Sequence, residues 1–143
     1  MKSSLAAVIA RSSLFATTVL LGVGSTFASE RTMAEMQWHR RVLIVSTPRA
    51  DDAQFLAQDW ELSQWTGGAE RDVSVVRIER DAVSGSSETA KALRDRYHLA
   101  AATFSVALIG KDGHVALRSQ SALTGAQLEA IIDAMPMRRA GQR

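Results

Sequence analysis

Four consecutive apolar residues, Val42-Leu43-Ile44-Val45, can rest only in a strand covered on both faces. A strand with one face in water alternates apolar and polar residues, and this run does not alternate. Both faces of its sheet therefore need a cover, and short chains supply that cover with helices. Ser46-Thr47-Pro48 closes the strand, because Pro48 cannot donate to a ladder and holds Thr47 extended.

The rest of the pattern fits around that strand. Val73-Ser74-Val75-Val76-Arg77-Ile78 and Phe104-Ser105-Val106-Ala107-Leu108-Ile109 read as two further strands. Gly110-Lys111-Asp112-Gly113 is a tight turn, returning the chain as His114–Arg118, a fourth strand. Asp51 or Asp52 can cap a helix from Ala53 to about Trp65, with Phe55, Leu56, Trp60 and Leu62 as its apolar face and Gly67-Gly68 as its stop. A Ser/Gly stretch, Val83–Ser87, reads as a loop whose Ser87 caps a helix through Tyr97. Thr124 and Gln127 form a capping box for a last helix with a stripe of Leu128, Ile131, Ile132 and Met135, ended by Pro136. Met33, Met36 and Trp38 suggest a short helix or ordered arm. The order β-α-β-α-β-β-α predicts an α/β fold, a thioredoxin-like core: a four-stranded mixed sheet in order 2-1-3-4 with helices on both faces.

Residues 1–28 have a different character. Lys2 and Arg11 precede a ten-residue apolar stretch, Leu14–Val23, and Thr26-Phe27-Ala28 sets small residues for cleavage before Ser29. That three-part pattern predicts a signal peptide, cleaved near Ala28, and a periplasmic or secreted product. The apolar stretch is too short for a stable membrane anchor, which needs about 20 residues. The Arg40-Arg41 pair lies after it, so general secretion is the expected route. The expected organisation is therefore a signal peptide 1–28, an N-terminal arm 29–40, a thioredoxin-like domain 41–139 and a basic tail 140–143.

Charge and cysteine content then exclude function classes. Residues 1–28 carry two bases and no acids, so 29–143 holds 15 of each, and the basic precursor is no argument for a nucleic-acid partner. The chain has no cysteine. It can form no disulfide and supplies no thiolate, which removes disulfide exchange and thiol peroxidase chemistry.

From Arg41 to Arg139 the chain resembles a bacterial family called domain of unknown function 4174, also described as the prokaryotic branch of the DUDES domains. The residues that carry this are Arg40-Arg41-Val42-Leu43-Ile44-Val45, Glu70-Arg71-Asp72-Val73, Leu108-Ile109-Gly110-Lys111-Asp112-Gly113 and Ile132-Asp133-Ala134-Met135-Pro136-Met137-Arg138-Arg139. The family is similar to domains of animal extracellular proteins with sushi repeats. The resemblance implies a thioredoxin-like fold and an extracytoplasmic setting, and it implies no activity.

In thioredoxin-like proteins the start of the first helix is the working site, where free N–H groups and the helix dipole favour an anion. Here that position is Thr47-Pro48-Arg49-Ala50-Asp51-Asp52, without cysteine, and Ala101-Ala102-Thr103-Phe104 lacks the proline such proteins carry before the third strand. The expected activity is thus recognition of a protein or small ligand in the periplasm, by a ligand-binding face of Thr47, Arg49, Asp51 and Thr103. The alternative is a non-thiol, hydrolase-like enzyme using Asp51, Asp52 and His98. His39, His98 and His114 fall on separate elements without metal-ligand spacing, so no metal and no cofactor is expected. Met33, Met36, Met135 and Met137 read as packing residues rather than copper ligands. Glu70-Arg71-Asp72 reads as a local ion pair, Lys111-Asp112-Gly113 as a turn, and Arg138, Arg139 and Arg143 as a solvated cluster.

Overall fold

A computed structural model describes residues 30–141, so the expected signal peptide and Arg143 lie outside the described residues. The elements in chain order are α1 (Met33–Met36), β1 (Arg41–Thr47), α2 (Ala53–Gln64), α3 (Gly67–Glu70), β2 (Val73–Glu79), β3 (Ala82–Ser84), α4 (Ala90–Tyr97), β4 (Ser105–Ile109), β5 (Val115–Ser119), α5 (Gly125–Asp133) and α6 (Pro136–Arg139).

The strands form one mixed sheet in the order β3-β2-β1-β4-β5. β1 runs parallel to β2 and antiparallel to β4, and β5 returns antiparallel beside β4. Every residue of β1 is buried, as its unbroken apolar run requires. Its side chains alternate between two cores. Val42 and Ile44 pack with Met33, Met36, Leu93 and Tyr97 under α1 and α4. Leu43 and Val45 pack with Phe55, Leu128 and Ile132 under α2 and α5. Each such fully buried side chain is worth about 1.5–3 kcal/mol in transfer from water.

The fifth strand corrects the four-stranded expectation. β3 joins the outer edge of β2 through the Arg80-Asp81 connection, with Arg80 at φ 54. The sequence reads as loop from Val83 on because Val83 is the lone apolar residue of the Ser/Gly stretch Val83–Ser87. Gly85 then leaves the strand at φ +84, where an added Cβ would collide with the Val75 carbonyl oxygen.

Other boundaries move for identifiable reasons. Thr89, not Ser87, caps α4, its side chain accepting from Ala92 N. Asp52 caps α2 by accepting from Gln54 N and Phe55 N. Gly67-Gly68 does not merely stop α2 but opens the short α3. Pro136 does not end α5; it occupies the first turn of α6, where a missing N–H costs nothing. The buried face of α2 also differs: Phe55 and Gln58 are buried, whereas Leu56 and Trp60 are 55% and 63% exposed. Gln58 takes the core position because its amide donates to Leu123 O at 3.0 Å and accepts from Leu123 N at 2.8 Å. Within the N-terminal arm, Met33 and Met36 of α1 are buried in the first core.

Candidate functional site

The expected ligand face lies at the end of the sheet where β1 finishes. Thr47 is buried, and its Oγ1 donates to Arg49 O at 2.8 Å and accepts from Arg49 N at 3.2 Å. The Arg49 guanidinium meets the Asp51 carboxylate at 2.9 and 3.1 Å on the open surface. That pair holds Asp51 below the usual carboxylate range. Asp52 spends a carboxylate oxygen on the α2 cap. Thr103 is exposed in the segment before β4, and no hydrogen bond or ion pair among the described residues links it to Arg49 or Asp51. His98 is exposed at the end of α4 in a left-handed conformation, with no hydrogen bond or ion pair to Asp51 or Asp52. The opposite charges of Arg49 and Asp51 cancel locally, leaving little field for a ligand.

The other end of the sheet is built differently. β1 and β2 begin there, and antiparallel β4 ends there: Arg41 pairs with Val73, and Val42 with Ile109. This register gathers Arg41, the Arg71-Asp72 segment and the Gly110–Gly113 turn in one place. α5 delivers Asp133 to the same end, and α6 follows it with Arg138.

Most charges there are matched. Arg71 meets Asp133 through Nε and Nη2 at 3.1 and 2.8 Å, and its Nη1 stands 3.4 Å from Glu129 Oε1. Arg138 donates to Asp133 at 3.3 Å and to Glu70 O at 3.4 Å. Lys111, 3% exposed at its side chain, donates to Asp72 at 2.9 Å. These partners hold the carboxyls of Asp72 and Asp133 below their ordinary range, Lys111 acting on the first and Arg71 on the second. The expected local Glu70-Arg71-Asp72 pair therefore does not form; Arg71 and Asp72 instead bind residues far along the chain. Lys111 sits in its predicted turn but points its charge inward, and Arg138 is anchored to the domain.

Arg40 and Arg41 have no such partner; Arg40 is half-buried and donates to Ser74 Oγ and Val73 O, whereas Arg41 is buried. It is 1% exposed. Its Nη1 donates to Arg71 O at 2.8 Å, and its Nε has no partner. Among the described residues no carboxylate lies within ion-pair distance of its guanidinium, since Asp72 and Asp133 are taken by Lys111, Arg71 and Arg138. Burial first, and then the charge of Arg138, pull its pKa below the usual arginine value, against the smaller opposing attraction of Asp72 and Asp133. A buried charge without a counter-charge is costly, and proteins rarely keep one without use. Arg94 is also buried with an unpartnered Nη2, but it stands in the last turn of α4, where the helix dipole favours a cation. Arg41 has the carbonyl of Arg71, the C-cap of the short α3, and the more distant attraction of Asp72 and Asp133, but no carboxylate in contact.

Arg41 and Lys111 line a cleft of about 210 Å³, whose other walls include Val115, Met135, Pro136 and Met137. The cleft thus joins cationic groups to an apolar wall, the mixture that orients a small ligand. It holds no Ser, Thr or Cys nucleophile among the residues that line it. Among the described residues no group of three or more His, Asp or Glu is close enough to hold a metal ion.

Sequence reasoning points to the opposite end of β1, reads Asp72 as part of a local ion pair and Lys111 as a turn residue, and assigns Arg41 no role. The available signal was a charge fused directly to an apolar strand: Arg41 opens one and Lys111 follows another by a single glycine. All four blocks that carry the family resemblance also meet at this end. A family model described as a domain of unknown function (DUF4174) matches residues 32–141, taking in α1 as well. No curated protein and no solved structure matches the chain.

Proposed function

Because the chain belongs to the DUF4174 family of domains of unknown function, which fixes no activity, we propose a function from its own chemistry: an exported, thioredoxin-like module that recognises an anionic ligand and carries out no thiol chemistry. The observation that carries this reading is Arg41, a buried guanidinium without a counter-charge beside an open cleft. A bound anion would supply the missing charge in a low-dielectric setting, where one ion pair is worth far more than on the surface.

The thioredoxin-like assignment is supported by the parallel β1–β2 pair joined through α2, the β4–β5 hairpin on the other flank of β1, and helices on both faces. Export is supported by the charge, apolar and small-residue pattern of 1–28. The face of Thr47, Arg49, Asp51 and Thr103 is the less favoured location, since its main charges already neutralise each other. A catalytic role for Asp51, Asp52 and His98 has the same weakness, with both carboxylates engaged.

The test is thermal melting of the purified protein and of Arg41→Met, in acetate and in inorganic phosphate at constant ionic strength. A ligand that binds only the folded chain stabilises it by about 2.7 kcal/mol at a hundredfold excess over Kd. The wild type should gain several degrees in at least one anion, and Arg41→Met none. Equal responses of the two proteins would remove Arg41 as the recognition group.

A further inference from the structure

We infer that the cleft beside Arg41 takes a small monocarboxylate with a compact apolar body. The inference rests on the anion-site reading above and specifies its ligand class. Three features of the cleft select that class.

The first is charge number. Of the two cations that line the cleft, Lys111 has a carboxylate within 4 Å and Arg41 has none. Asp112 and His114 also line the cleft, but both are exposed and face each other, His114 Nδ1 lying 3.5 Å from Asp112 Oδ2. A singly charged ligand would give Arg41 the carboxylate it lacks. A dianion would bring a second charge with no free partner and would meet the Asp112 carboxylate at the rim.

The second is shape of the donor. A guanidinium presents paired N–H groups in one plane, matching the two oxygens of a carboxylate. Arg41 Nη1 is used by Arg71 O, and the Nε side has no protein partner. The third is the wall. Val115, Met135, Pro136 and Met137 offer apolar surface, and the thioethers of Met135 and Met137 adapt to branched or ring-shaped groups. A cleft of about 210 Å³ lies below the roughly 300–1,000 Å³ of drug-sized sites. It equals the liquid volume of about seven waters, which suits an acid such as benzoate or isovalerate and not a peptide chain.

The experiment follows the Arg41 Nε–H resonance of the isotopically labelled protein by NMR, during titration with benzoate, isovalerate, benzamide and inorganic phosphate. Saturable shifts are expected with both acids. Benzamide, the same shape without charge, should bind at least about tenfold more weakly, as loss of a charge-assisted hydrogen bond requires. Phosphate should also be weaker than either acid. Two variants keep the result independent of folding. Met137→Glu sets a fixed carboxylate in the wall and should abolish acid binding while the other resonances stay in place. Arg41→Lys, followed through the backbone amides of Lys111 and Asp112, keeps a charge without the planar donors and should weaken the acids while leaving residual binding.

Benzamide binding as tightly as benzoate would overturn the proposal. So would acid binding that survives Met137→Glu. Phosphate binding at Arg41 without carboxylate binding would overturn the ligand class and leave the anion site standing. Silence of the Arg41 resonance toward all four compounds would overturn both.

Discussion

Lys111 and Asp72 stand 39 residues apart, yet each sets the other's environment. Asp72 adopts φ 53, a left-handed conformation that asparagine also tolerates. Asp72→Asn therefore removes the charge while keeping the backbone, and leaves the Lys111 ammonium buried without its counter-ion. The expected cost is about 1.5–3 kcal/mol, the value of a hydrogen bond between charged groups, read from denaturant unfolding. Arg41→Met should behave in the opposite way. It deletes a buried charge that has no ionic partner, so stability should hold or rise in the same measurement, as apolar replacement of buried ions often does. A loss as large as that of Asp72→Asn would mean Arg41 is structural. These residues were hard to read from sequence because their partners are distant. Adjacent Glu70-Arg71-Asp72 suggested a local pair, but Arg71 reaches α5 and Asp72 reaches the turn after β4. A cation placed against an apolar run was the only local hint of burial.

The elements show which sequence signals survive packing. The capping box of Thr124 and Gln127 forms as read, because both of its hydrogen bonds are local. The buried face of α2 differs from the apolar pattern because Gln58 takes the core position and Leu56 and Trp60 stay exposed. A polar side chain is cheap to bury when both its donor and its acceptor are met, and Leu123 meets both. Gln58→Ala would strand the Leu123 N–H and carbonyl in a buried position, costing about 2–5 kcal/mol from two unmatched groups plus a cavity. Trp60→Ala, on the exposed side, should cost far less by the same denaturation curve. β3 is not legible in the sequence, since a three-residue strand, Ala82-Val83-Ser84, carries almost no periodicity. Its register depends on Gly85, and Gly85→Ala should destabilise that edge first, visible as faster amide exchange across β2 and β3.

For the molecule as a whole, the continuous apolar strand was enough to foresee a helix-covered α/β sheet, and the four expected strands keep their expected neighbours. The site was less legible, because it is made where the ends of β1, β2 and β4 coincide, and only the register brings them together. The same convergence gives the fold an acid limit. Asp72 and Asp133 keep their charge to lower pH in the folded chain than their ordinary value of 3.8. The unfolded chain therefore takes up protons first as pH falls, and the stability these pairs contribute, complete above that value, is lost below it. Unfolding midpoints should be flat near neutral pH and fall below about pH 4, with a shallower fall in Asp72→Asn.

The central claim is that Arg41 waits for a charge the chain does not provide. Soaking crystals of the protein in 4-bromobenzoate and recording the bromine anomalous signal tests it most directly. The account predicts a peak between Arg41 and Met137, with the carboxylate about 3 Å from the guanidinium. A guanidinium paired with one of the protein's own carboxylates, or bromine found only elsewhere on the surface, would contradict it.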